Sequence, residues 1–208
     1  MTTAAVTALT DIILAAQTMW LAILLGRVRP AYTSAAWFWS RALWLMGLGA
    51  LIGAIHHGFF PPSSEAGYWI ERLDWIVLAG MTLCMWLATA RQFFARRVYG
   101  LARTTGWIQF AVDTALVLFI DDFRVVTLNY APVMLVLLVA NALAMRSGSG
   151  HWILAAGLLV MLAAAGIQAS SVEGVAPFDH NGLYHVASMF GVFLLYRAGL
   201  KMKREASV

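Results

Sequence analysis

Charge is scarce in this chain. Only 12% of its 208 residues are Asp, Glu, Lys or Arg, about half the share of a soluble domain. Intrinsic disorder is excluded, because it needs low hydrophobicity and high net charge. Cysteine is almost absent. The single Cys84 lies inside an apolar run, so there is no disulfide framework. No repeat, linker or low-complexity segment divides the chain, and the reading is one domain over residues 1–208. What is abundant is apolar: hydrophobic types make up 62% of the residues, and mean hydropathy is +0.77. The net charge of +4 does not point to nucleic acid, because the bases flank apolar segments as they do in membrane proteins. The partner this composition implies is a lipid bilayer.

A helix needs roughly 20 mostly apolar residues to cross a hydrocarbon core of about 30 Å. Seven stretches qualify: Ala4–Leu25, Ala35–Phe59, Tyr68–Thr89, Thr104–Ile120, Val125–Met145, Trp152–Ala169 and Gly182–Leu200. The expected fold is therefore all-α, a polytopic bundle of seven transmembrane helices. Breaks fall between the stretches at Arg27-Val28-Arg29-Pro30, Pro61-Pro62-Ser63-Ser64, Ser147-Gly148-Ser149-Gly150 and Pro177-Phe178-Asp179. Asp179 is the expected N-cap of the last helix. The first stretch does not read as a signal peptide, since no base precedes it and no small-residue cleavage site follows.

The bases set the orientation. Arg27, Arg29, Arg41, Arg91, Arg96, Arg97, Arg103, Arg146, Arg197, Lys201, Lys203 and Arg204 fall on one side, and only Arg72 and Arg124 on the other. The positive-inside rule puts the N-terminus outside and the C-terminus in the cytoplasm. Glu65, Glu71, Asp74, Asp121, Asp122, Glu173 and Asp179 all fall at outer ends or outer loops. The expected location is a bacterial inner (plasma) membrane, with the site near the extracytoplasmic face.

Ionisable residues at membrane depth are costly and mark functional sites by default. Here they are Asp11, His56, His57, Asp74, Asp113 and His185, with Asp179, His180 and Asn181 beside the last. The topology brings Asp11, His56, His57, Asp74 and His185 to one level at the outer end, while His151 falls at the opposite end. Histidines converging with a carboxylate suit a catalytic zinc, which commonly takes three protein ligands and a water. The ion lowers the pKa of that water, and the carboxylate handles its proton. His57 and His185 are candidate ligands, with His180, His56 or Asn181 as a third and Asp74 as the carboxylate. Asp11 and Asp179 are alternative ligands or partners of a ligand. The bland alternatives are an interfacial His56-His57 pair, a solvated His180, and Asp74 paired with Arg72 or Arg124. Asp113 reads as hydrogen-bonded to Asn141 or Gln109. A retinal protein is excluded, since no lysine lies within Gly182–Leu200.

Two strings go further. Arg72-Leu73-Asp74-Trp75-Ile76 resembles the third-helix Leu-Asp-aromatic string of the progestin and adipoQ receptors. Asn181-Gly182-Leu183-Tyr184-His185-Val186 resembles the seventh-helix His-x-x-aromatic-His-Val string that those receptors share with the alkaline ceramidases. His57 falls where this superfamily, often called CREST, carries its second-helix histidine. The resemblance implies a seven-helix fold, zinc on His57 and His185, and hydrolysis of a lipid amide or ester with Asp74 handling the proton of water. The sequence departs from the pattern at two places: Asn181 stands for a histidine and Gly53 for a serine. The alternative expectation is a non-catalytic receptor, or a metal- or small-ligand-binding protein of the same fold.

Overall fold

The computed structural model describes residues 3–28, 31–60, 63–145, 149–170 and 177–205. Arg29-Pro30, Pro61-Pro62, Arg146 to Gly148 and Glu173 lie outside the described residues. Seven helices follow one another: α1 (Thr3–Arg27), α2 (Ala35–Phe59), α3 (Glu65–Phe93), α4 (Arg96–Phe119), α5 (Arg124–Leu143), α6 (Ser149–Ala169) and α7 (His180–Glu205). No strand is present among the described residues.

The starts are set by side-chain caps. Ser34 accepts from the Trp37 N–H at 3.2 Å, Ser64 from Gly67 at 3.0 Å and Asp179 from Gly182 at 2.7 Å. Each satisfies an N–H that the first helical turn leaves without a carbonyl. Ahead of α5, Asp122 accepts from the backbone N–H and the guanidinium of Arg124. Those donors hold its carboxyl below the usual range.

Helices α1, α2, α3, α5, α6 and α7 form a closed ring, each packed on its neighbours, with α7 returning to α1 and α2. Helix α4 stands outside this ring and touches only α3 and α5. The six ring helices are long and apolar enough to cross a membrane; α4 is not among them. Its first half carries Arg96, Arg97 and Arg103, and its second half buries Asp113. Six of the seven expected spans thus correspond to helices long and apolar enough to cross a membrane.

Small residues let the ring close. An ideal Cβ on Gly47 would lie 2.7 Å from the Met19 Cγ and 3.1 Å from the Met19 backbone nitrogen. Helices α1 and α2 therefore meet backbone to backbone, as small residues allow in membrane bundles. Two polar ties lie away from this contact. Asn129 donates to Asp113 at 2.9 Å and Gln109 donates to Asn129 at 2.7 Å, joining α4 to α5. The partner of Asp113 is thus Asn129, more than three turns from the expected Asn141, which bonds His151 at 2.8 Å instead.

Candidate functional site

The ends of α1, α2, α3 and α7 nearest the caps of α3 and α7 enclose a cavity of about 340 Å³. Asp11, His56, His57, Asp74, His180, Asn181 and His185 all line it, as do Glu71, Gln168, Trp75, Phe123 and Tyr184. Asp179 does not line it. That residue caps α7 and accepts from the Thr7 hydroxyl at 3.1 Å, tying α7 to α1. His151 is at the opposite end, 5.9 Å from the Phe93 ring.

His185 is 6% exposed and Asp11 is 3% exposed. The Thr10 hydroxyl donates to the Thr7 carbonyl at 2.8 Å. Its oxygen is therefore left to accept from His185 Nδ1–H at 3.0 Å. With Nδ1 carrying that hydrogen, Nε2 faces Asp11 Oδ1 at 3.0 Å, close enough for the two to share a proton. Thr10→Val should remove the acceptor and free the ring to turn, at a cost of about 1–3 kcal/mol for the orphaned N–H. Thermal melting in detergent, together with the His185 ring shifts by NMR, checks this.

Among the described residues, three buried atoms of residues that line the cavity have no hydrogen-bond partner: Asp11 Oδ2, Asp74 Oδ1 and His56 Nε2. Two glycines one turn apart on α2 make room for the carboxyls. A Cβ on Gly49 would lie 2.9 Å from Asp74 Oδ1, and one on Gly53 would lie 3.4 Å from Asp11 Oδ2. Positions i and i+4 are neighbours on a helix surface, so both acids lie along one stripe of α2. Asp74 pairs with neither arginine considered for it. Arg72 bonds Asp121 and Arg124 bonds Asp122.

Of the adjacent histidines, His56 is 7% exposed while His57 is exposed. Successive helical residues point about 100° apart, so both cannot face the interior equally. Among the described residues, no three His, Cys, Asp or Glu side chains are grouped to hold a metal ion. Imidazoles and carboxylates suit zinc chemically, but His57, His180 and His185 do not converge as three ligands, and His185 Nε2 is directed at Asp11. The arrangement does not fit a three-ligand zinc.

The wall beside Asp74 is braced by Arg72. Its guanidinium carbon lies 4.3 Å from the Tyr68 ring centroid and 4.2 Å from that of Trp75. Trp75 in turn meets Phe123 edge to face at 6.0 Å. Arg72→Met should lose about 2 kcal/mol of cation–π and ion-pair stabilisation. The expected result is a melting temperature lower by about 4–8 °C.

Beneath the polar cavity is a narrow apolar pocket of about 40 Å³. It shares Met46, Leu78, Phe123 and Tyr184 with the cavity and adds Met81, Met85, Met134 and Met161. Methionine side chains are unbranched and repack readily, so this floor can admit an alkyl chain. Thr10, Gly49, Glu71 and Gln168 were not anticipated as parts of the site. The signal for Thr10 was available: Thr3, Thr7 and Thr10 make a polar stripe at helical spacing on an otherwise apolar helix.

The fold and cavity define a helical bundle with six helices apolar enough to cross a membrane and a polar chamber at one end. The chain belongs to a family described as a family of unknown function (DUF6962), whose pattern it matches over residues 6–204. No curated protein and no solved structure matches it.

Proposed function

We propose that this protein is an integral membrane hydrolase that takes a lipid-like amphiphile into the cavity and cleaves its amide or ester bond. The observation that carries the reading is a cavity lined by acidic and imidazole side chains that shares Met46, Leu78, Phe123 and Tyr184 with a methionine-lined apolar pocket. Ligand sites commonly pair an apolar lining with a few placed polar groups. In this reading a water attacks the carbonyl carbon and gives its proton to Asp74 Oδ1. The C–N or C–O bond then breaks, and the leaving nitrogen or oxygen takes the proton shared by Asp11 and His185. Asp74 returns its proton to that pair, which restores the starting state. Zinc has no step in this scheme.

We also propose that α4 completes a seventh span, with the cavity end outside and the Arg-rich end in the cytoplasm. Glu65→Cys should react with a membrane-impermeant maleimide in intact cells, and Arg97→Cys should not. The reverse pattern overturns the orientation.

A second reading, binding without turnover, is favoured by the double engagement of His185 and by Gly53 and Asn181 at the two departures. The test is release of fatty acid from a panel of long-chain acyl amides and esters by the reconstituted protein. Gly53→Leu serves as the blocked control, since its Cβ fits beside Asp11 and the remainder fills the cavity. Turnover that the block removes supports hydrolysis. Binding that the block removes, with no turnover of any panel member, supports the second reading.

A further inference from the structure

The cavity has an unequal charge lining. Asp11, Glu71 and Asp74 line it beside four histidines, and no Lys or Arg does among the described residues. The nearest cation by sequence, Arg72, is 1% exposed, ion-paired with Glu71 at 3.5 Å, bonded to Asp121 and packed against two rings. No guanidinium is therefore available to neutralise Asp11 or Asp74. A buried carboxyl without a counter-charge is costly. Both have an oxygen with no hydrogen-bond partner. Independently of the acids, His56 lines the cavity and its buried Nε2 has no partner among the described residues. Trp75, Phe123 and Tyr184 supply aromatic walls, which attract cations through their ring faces.

From these observations we infer that the cavity selects an amphiphile with a positively charged amine head and rejects one with a phosphate or sulfate head. This rests on the reading that the cavity takes an amphiphile and adds the chemistry of the head. Asp11 Oδ2 and the Glu71 carboxylate accept hydrogen bonds from the ammonium, the alkyl chain runs into the methionine floor, and Asp74 Oδ1 is left for the water. An anionic head meets acidic side chains there with no lysine or arginine among the lining residues, and the one guanidinium nearby is held by Glu71 and Asp121. An ammonium suits the arrangement better than a bare metal ion. Its donors need no single convergent point, whereas an ion needs a ligand group that the described residues do not form.

The test uses the full chain in nanodiscs of zwitterionic lipid. Dodecylammonium, dodecanol and dodecyl phosphate each compete against a fluorescent dodecanol analogue, with empty nanodiscs correcting for partition. Dodecylammonium should compete at least about tenfold better than dodecanol, and dodecyl phosphate worse than either. Asp11→Asn and Glu71→Gln should each shrink that preference several-fold, with elution on size exclusion like the parent's showing that the variants fold. Equal competition by all three overturns the charge selection and leaves the amphiphile reading standing. Probe binding that Gly53→Leu does not reduce overturns both. Zinc chloride alone displacing dodecylammonium one for one, with loss of that effect in Asp11→Asn, makes the site a metal site and overturns the inference.

Discussion

Asp74→Asn should lower turnover of an acyl amide or ester by about 10²–10⁴-fold, the range that a positioned general base contributes, while amphiphile binding survives. The amide keeps the size and one oxygen of the carboxyl, so the packing over Gly49 is preserved. What is lost is a group able to take a proton from water. Asp74 has no arginine partner, since Arg72 and Arg124 are committed to Asp121 and Asp122. The substitution therefore breaks no ion pair that would unfold α3. Single-turnover product release, measured beside probe binding on the same sample, separates the two effects. Turnover within about twofold of the parent would remove Asp74 from the chemistry.

The largest effect on folding is expected at Gly47→Leu. Even a methyl group at this position meets the Met19 backbone nitrogen at 3.1 Å and the Ala15 carbonyl oxygen at 3.4 Å. Backbone cannot turn aside as a side-chain tip can. Overpacking of a tight core costs about 1–3 kcal/mol and occasionally more, and leucine here forces apart the two helices that carry Asp11 and Gly53. Monodisperse protein should be lost on size exclusion, with Gly47→Ala intermediate. A Gly47→Leu protein that elutes and melts like the parent would contradict the close approach of α1 and α2. Gly53→Leu provides the contrast on the same helix, because its first carbon meets only ordinary contacts at 3.4–3.6 Å.

Hydropathy marks where a chain can be immersed, while hydrogen bonding decides where a helix begins and ends. Ala35–Phe59 coincides in both. Helix α3 outruns its apolar stretch at both ends, because Ser64 caps it before Tyr68 and the ladder continues past Thr89 to Phe93. Helix α4 starts at Arg96, eight residues before the apolar run at Thr104, since arginine is a good helix former. The depth shared by Asp11, His56, Asp74 and His185 follows from counting alternate spans. Their direction around each helix does not, because that depends on which face the neighbouring helix covers. This is why His57 was favoured over His56 although His56 is the buried one, and why Asn129 was missed as the partner of Asp113. It is also why Thr10 went unnoticed as the group that sets the ring of His185.

The most direct test of the account maps the ligand itself. A long-chain acyl amide carrying a diazirine midway along its alkyl chain is reconstituted with the protein and photolysed, and the labelled peptides are sequenced. The account predicts label on Met46, Leu78, Met81 and Tyr184, lost in Gly53→Leu. Label confined to outward-facing positions such as Leu128, Leu135 and Val139, which are 74%, 51% and 56% exposed, and unchanged by Gly53→Leu, would contradict it.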